Sequence, residues 1–456
     1  MAKDTISQYS KTAGSNTDVQ SVSIAEGMAP SDVNNAMREV MVDLASLYDG
    51  TQSLATLKTT TALSAANGTV SAPSLQATAD TNTGVYFPAA DTVGVVAGGT
   101  EQFRFGSNPI PGGSKNLVMN GAMTVNQRGI SALALDGANQ YTVDRWRVQE
   151  ATSAGVIQVN QSTTVPAGAG FASSLHIDVT TADTSLAAGD FVLIYQTMEA
   201  QNSQHLAYGN AAAKTLSLSF WVRSPKSGTH AVGIYQNDGG RHYIREYTVT
   251  SADTYEYITV TFPGDASGTI NNDTGAGLDV YFGLATGSTY QNTADTWAAG
   301  QDWSTSSAVN CMDNAANNFY LTGVQLEVGS VATDFAHEDY GTTLKKCQRY
   351  YFDWTATTSS EVYTMGEADN TTQLISQFQY LTTMRAAPTF TAATASYWNL
   401  AGKGTAISCT AVEGDRLTIN GCRLVYTVSS GLTAGEAWIA QRNATDAAVL
   451  TWSAEL

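Results

Sequence analysis

The chain has 456 residues, 22 basic against 40 acidic side chains and a formal charge of −18; only 14% of residues are charged and 43% are hydrophobic. That acidity argues against a general nucleic-acid binder, which needs a basic stripe to release counterions. The apolar fraction argues against global disorder, and the length gives a soft prior of about three domains. The surface must then be covered largely by Ser, Thr, Asn, Gln and Gly, as on long β-rich proteins. The longest apolar run is Phe191-Val192-Leu193-Ile194-Tyr195, far short of the ~18–20 residues of a membrane span. Met1 to Thr5 is polar, so no signal peptide is expected. Cys311, Cys347, Cys409 and Cys422 are widely spaced and read as buried free thiols.

Residues 1–28 carry no periodicity and are expected to form an irregular or extended arm. Ala29-Pro30-Ser31-Asp32 reads as a helix start, with Pro in the first turn and Ser or Asp as cap. Val33, Met37, Val40, Met41, Leu44 and Leu47 then fall on one helical face, and Asp49-Gly50 is a stop, so the spacing predicts a helix over 31–49. Leu54, Leu57 and Leu63 suggest a weaker continuation. The helix either packs on its own domain or is a short self-associating bundle or docking helix. The second reading is favoured because nothing else in the first 70 residues offers it a core.

Residues 67–112 alternate turn signals (Asn67-Gly68, Asp80 to Gly84, Ala97-Gly98-Gly99) with short β runs at Val85 to Phe87, Val93 to Val96 and Phe103 to Phe105. This is too little for a lone domain, but is credible if other copies of the chain complete it. Pro109 to Gly113 reads as a linker. From residue 116 to 340 strand follows strand, with Leu216, Leu218, Phe220 and Val222 on one side and Ser217 and Ser219 on the other. That pattern predicts an antiparallel, jelly-roll-like sandwich. Thr343 to Tyr351 is expected to be one helical turn leading into a strand. Residues 341–456 read as a smaller β domain, with strands expected at Gln373 to Tyr380, Leu417 to Ile419, Cys422 to Val428 and Ala437 to Ile439. The class is mainly β, divided as 1–50, 51–112, 116–340 and 341–456.

Catalytic patterns are missing. There is no phosphate-binding glycine loop, HExxH or GxSxG, and the five His are scattered. His176 and His242 read as sheet residues, and Asp144 and Glu327 as structural ion-pair or hydrogen-bonded groups. Asn237-Asp238-Gly239 and Asn271-Asn272-Asp273 are oxygen-rich turns that could bind calcium, but turn chemistry alone explains them. No cofactor and no metal are assigned. Aromatics on polar loops remain. Taken singly, each of Tyr290, Trp297, Trp303, Tyr397 and Trp398 is better read as a core residue; as a group on polar loops they form the candidate set for stacking on sugar rings.

Three stretches resemble bacteriophage tail fibre proteins of the short-tailed phage type. Ser23-Ile24-Ala25-Glu26-Gly27-Met28-Ala29-Pro30-Ser31-Asp32-Val33-Asn34-Asn35-Ala36 is similar to their tail-attachment segment. Asn116 to Gly121, Gln127-Arg128-Gly129, Asp144-Arg145-Trp146 and Val324 to Thr333, followed by Cys347-Gln348-Arg349-Tyr350-Tyr351, resemble a carbohydrate-binding-module-like sandwich of such fibres. Asp80 to Tyr86 and Gly98 to Glu101 are similar to shaft inserts. The resemblance implies a homotrimer in the virion tail. It also implies attachment to tail adaptor or nozzle proteins through Ile24, Met28, Val33, Asn34 and Met37, with a host surface polysaccharide or outer-membrane receptor bound by the C-terminal domains. It carries over no catalytic residue. The expected function is receptor binding without enzymatic activity, nucleic acid or membrane insertion. The alternative is a fibre-borne polysaccharide depolymerase or esterase.

Overall fold

A computed structural model describes residues 10, 15–48, 65–105, 115–356, 358–443 and 448–456. The weak continuation at Leu54, Leu57 and Leu63 and the linker at Pro109 to Gly113 lie outside these residues. The chain is mainly β and divides into two compact units, 1–109 and 110–456.

In the first unit a helix spans Pro30–Tyr48, one residue earlier than expected, with Asp32 placed favourably in its first turn. Where an irregular or extended arm was expected, Asp18–Val19 and Val22–Ser23 pair as a minimal hairpin. Its two turn residues, Gln20 and Ser21, both have positive φ, the geometry that matches the twist of a tight hairpin. Gln20 Nε2 donates to the buried Asp43 Oδ1 at 2.7 Å, fastening hairpin to helix. Farther on, Leu75–Ala77, Asp80–Tyr86, Val93–Ala97 and Thr100–Phe105 form a four-stranded antiparallel sheet. Asp80 to Gly84, read from sequence as a turn, is therefore strand. Gly84 pairs with both Gln76 and Val96, and a Cβ on it would lie 2.0 Å from the Leu75 carbonyl oxygen, so glycine is there for close strand approach.

The second unit contains a two-sheet sandwich and a closed barrel. One sheet has six strands in the order Glu256–Phe262, Leu216–Arg223, Asn318–Val328, Ser174–Thr181, Val156–Ser162 and Leu133–Leu135. The other has seven: Trp297–Ala299, Arg241–Val249, Gly228–Gln236, Ala276–Thr286, Phe191–Glu199, Arg147–Ala151 and Asn139–Tyr141. Leu216, Leu218, Phe220 and Val222 all point into the core with Trp146, Phe282 and Phe319, as their alternation required. Ser217 and Ser219 face the other way yet are also buried. The chain runs back across them, with Ser217 donating to Gly329 O and Ala336 N–H donating to Gln325. Asp144 is a structural acceptor, taking the Gln127 N–H and side-chain amide at 2.6 Å each. Glu327 accepts the N–H and hydroxyl of Thr333.

A helix at Tyr340–Gln348 follows, longer than the single turn expected because Asp339 caps it through the Thr342 N–H. The barrel is closed by Val362–Ala368, Gln373–Gln379, Gly421–Val428, Thr405–Asp415, Trp398–Gly402 and Ala437–Arg442. Beside it lies a three-stranded sheet with Val449–Ser453 at its centre. Leu417 to Ile419 is a turn rather than a strand, since the Thr418 hydroxyl ties to Gly421 and Asn420. All four cysteines are free and buried.

The sandwich meets the segments flanking the three-stranded sheet at a buried ionic joint. Arg145 pairs with Glu455, donates to Thr197 O at 2.6 Å and lies 3.5 Å over the Tyr350 ring. Arg128 also reaches Glu455, at 3.1 Å. Beside them the buried Glu199 accepts from Arg349 Nε and Nη2 at 2.7 and 2.8 Å. The stretches that carry the family resemblance, around residues 128, 145 and 349–351, therefore converge on this joint. Glu455→Ala would leave Arg145 buried without its counter-charge. The expected cost is about 3–5 kcal/mol in denaturant unfolding. Burial resists ionisation of Glu199, but the hydrogen bonds from Arg349 and Tyr350 outweigh it and hold its pKa below the ordinary 4.5. Its contribution to stability should be complete above pH 4.5 and disappear as pH falls through the lower folded value, a loss that Glu199→Gln should abolish in pH-dependent melts.

Candidate functional site

In the first unit, Ile24, Met28, Val33 and Met37 line one apolar pocket with Val19, Ala36, Val40 and Met41. The fifth residue of the expected attachment set, Asn34, is exposed and does not line it. Met37 is 63% and Met41 67% exposed, so the helix presents an uncovered apolar stripe.

The loop aromatics singled out from sequence do not form a set. Trp398 is fully buried in the barrel core, so its ring has no free face for a sugar. Trp297 packs on the sandwich core, edge-on to Tyr208 and Tyr243, and donates to Pro263 O at 3.0 Å. Trp303 lies against Tyr235 and Tyr281, closing the outer face of the seven-stranded sheet. Tyr290 is edge-on to Phe191, and Tyr397 packs against the barrel core. Loop position signalled exposure, but these loops fold back onto sheets, and the rings serve as their apolar anchors.

The outer face of the six-stranded sheet holds another aromatic group, which the sequence reading missed. Strand register lines up Asn160, His176, Tyr320 and Arg223 as one row across four strands. His176 stacks on Tyr320 at 4.2 Å and 10°, and its Nδ1 lies 2.9 Å from Asn160 Oδ1. Arg223 lies 5.0 Å over the Tyr320 ring, and Tyr255 is edge-on to it. In the adjoining row Trp221 pairs with Tyr257, their rings 5.3 Å apart. Every one of these side chains is at least partly exposed. Burial, reinforced by Arg223 and opposed by Asp178, holds His176 below its ordinary 6.5, so the row is uncharged at neutral pH except for Arg223. Flat apolar rings alternating with amide, hydroxyl and guanidinium groups are suited to polyhydroxylated ligands: rings meet C–H faces and polar groups meet hydroxyls. The signal was present in the alternation itself, because Trp221 and Arg223 share parity with Ser217 and Ser219 and must leave the core side.

The turn acids behave as turn chemistry. Asp238 accepts both the N–H and the side-chain amide of Asn271, and Asp273 accepts Gly275 N–H. Among the described residues no three His, Cys, Asp or Glu side chains converge as metal ligands.

No family model matches the chain, and no curated protein matches it. Among solved structures it is similar to the enzymatically active domain of bacteriophage CBA120 tailspike protein 4, at 12% identity over 47% of this chain and 22% of that one, with a TM-score of 0.26. It is also similar to a putative sugar binding protein from Bacteroides thetaiotaomicron, at 12% identity over 47% of this chain and all (100%) of that one, TM-score 0.27. A family 11 carbohydrate-binding module of a cellulosomal cellulase of Clostridium thermocellum matches at 14% identity over 45% of this chain and 98% of that one, TM-score 0.23. At these scores the similarities carry no functional argument.

Trp398→Ala should destabilise by about 3–5 kcal/mol as a core deletion, whereas Tyr257→Ala, a surface change, should stay within about 0.5 kcal/mol in the same denaturation assay. Asp279, on the covered face of the other sheet, is pushed up to about 6 by burial, with Thr197 and Asn237 pulling it down only in part. A raised folded value costs nothing below the ordinary 3.8 and most above about 6, so Asp279→Asn should gain stability at pH 8 relative to the parent but not at pH 3.

Proposed function

We propose that the chain is a receptor-binding tail fibre protein of a bacteriophage, assembled as a trimer and binding a host surface glycan. The observation that carries the glycan part is the half-exposed row Asn160, His176, Tyr320 and Arg223, with Tyr255, Trp221 and Tyr257 beside it. A broad, shallow face of this kind gives weak individual contacts, and three copies would convert them into avidity. The charge of −18 per chain supports reliance on stacking and hydroxyl contacts, because bulk charge would repel anionic cell surfaces.

The uncovered stripe of Val33, Met37 and Met41 supports the trimer and attachment reading, together with the sequence resemblance around Ser23 to Ala36. The steps of four and three residues along Val33, Met37, Val40, Leu44 and Leu47 suit helices packed side by side. Tail adaptor or nozzle proteins are the proposed partners of the same segment, and the virion tail is the proposed location.

Two tests follow. Tyr320→Ala combined with Trp221→Ala should weaken retention on host polysaccharide about tenfold per chain while leaving the melting curve close to the parent's. Unchanged retention would remove this face from the proposal, and new reducing ends after incubation with the polysaccharide would favour a depolymerase instead. Met37→Asp with Met41→Asp should convert a trimer to monomers in light scattering. A parent that is itself monomeric would refute the assembly.

A further inference from the structure

Residues 300–308 lie as a strap across the outer face of the seven-stranded sheet. The Gly300 N–H donates to Gly240 O at 2.9 Å, the Tyr281 hydroxyl to Asp302 O at 3.0 Å and the Val309 N–H to Thr229 O at 2.8 Å. The Trp303 ring is edge-on to Tyr235 and Tyr281, 5.8 and 5.0 Å away. The strap runs so close to the sheet that a Cβ on Gly283 would lie 2.7 Å from Trp303 O. Beneath it sits His242, whose side chain is fully buried.

The partners of His242 fix its tautomer but leave one nitrogen unmet. Nδ1 lies 3.0 Å from Gly300 O, and a carbonyl oxygen only accepts, so Nδ1 carries a proton. In the uncharged ring Nε2 is then an acceptor. It is buried without a donor, and the group it faces, 3.6 Å away, is Asp302 Oδ2. That oxygen already takes Asn292 Nδ2 at 2.8 Å, and the Asp302 side chain is only 17% exposed. Two acceptors thus face each other out of water, and a proton on Nε2 converts them into a charge-assisted pair. Burial of the ring works against the charge, and the carboxylate beside it works for it. The remaining groups near His242 do not supply this pairing. Arg241 and Arg245 leave the opposite side of its strand and are held by Asp265 and Asp295 at 2.6 Å each. Glu246, on the same side, accepts the Thr305 hydroxyl at 2.5 Å. Tyr235 stands opposite His242 in one neighbouring strand and Ala298 in the other. Asp279 and Tyr281 belong to the strand beyond Tyr235. Burial keeps the Tyr281 phenol protonated well above its ordinary 10 and pushes Asp279 up to about 6.

We propose that His242 and Asp302 form a proton-operated latch on the strap. Uptake of one proton at Nε2 adds a bond between the sheet and residues 300–308, and its loss releases that bond. The closed strap offers the protonated ring a partner that an open strap does not, so acid favours closure and rising pH loosens it. Histidine is the side chain whose ordinary titration falls between about pH 5 and 8, so the response belongs to that interval. Loosening uncovers Tyr235 and Tyr281, the aromatic pair beneath Trp303. None of these groups belongs to the row at Tyr320, so the latch is independent of the glycan reading.

The test is hydrogen–deuterium exchange on the full chain between about pH 5.5 and 8, with exposure times scaled for the pH dependence of chemical exchange. The peptide covering residues 300–308 should exchange about tenfold more slowly at the acid end, as one added hydrogen bond to a charged group requires. Strands of the six-stranded sheet should show no such change. His242→Asn keeps a donor for Gly300 O and deletes Nε2, so the response should vanish. Asp302→Asn should flatten it as well, and decides the matter if His242→Asn does not fold. Asp279, which titrates in the same range, is the control: Asp279→Asn should leave the response in place. A parent strap whose exchange ignores pH would overturn the latch. So would a response that survives Asp302→Asn, or one that Asp279→Asn removes.

Discussion

The arrangement of the second unit depends on how Arg145 is neutralised. Its guanidinium is almost wholly enclosed, and such a group is tolerated only with its charge met. Glu455 supplies the charge, Thr197 O takes a second donor and the Tyr350 ring lies beneath. Each partner comes from a different part of the chain, so satisfying one side chain fixes the sandwich edge, the linking segment and the final strand. Arg128 extends the joint, lying 3.7 Å over Tyr351 and 5.0 Å over Tyr141, and Arg147 continues it between Tyr141 and Tyr195. The result is a run of tyrosines and arginines in which Arg128 and Arg147 each lie over two rings and Arg145 over one. Such a joint is specific in geometry, whatever its net contribution to stability.

This joint also apportions the two sheet faces. The seven-stranded sheet gives its outer side to Tyr141, Arg147 and Tyr195 at the joint and to Tyr281 and Tyr235 beneath Trp303. Its polar and aromatic groups are consumed by the protein itself. The six-stranded sheet carries a comparable mixture, with the 329–336 segment and the stretch around Phe171 to Ser173 laid over part of it. The row at His176 and Tyr320 is left partly exposed.

The sequence was legible where local rules act alone. The helix over Pro30–Tyr48 followed from its apolar spacing and its Pro and Asp start, and the sandwich followed from strand alternation. Reading failed where distant segments decide. Asp80 to Gly84 looks like a turn by composition, but Gly84 is dictated by the close approach of the Leu75 backbone, which no local pattern records. Trp303 and Trp398 look like surface aromatics because their neighbours are polar, yet one caps a sheet and the other fills a barrel. The row at Tyr320 is assembled from strands about 150 residues apart in the chain (His176 beside Tyr320), so only register reveals it.

The distance in the chain between Arg145 and Glu455, 310 residues, has a consequence for biosynthesis. At about 5–20 residues per second, roughly 15–60 s separate the appearance of the cation from that of its anion. During that interval the sandwich strands can pair and bury Phe220 and Phe282, but the edge that will hold Arg145 has no counter-charge and must stay open to water. Closure of the joint must thus wait for Glu455, and any interface that needs the joint closed cannot form among nascent chains before it.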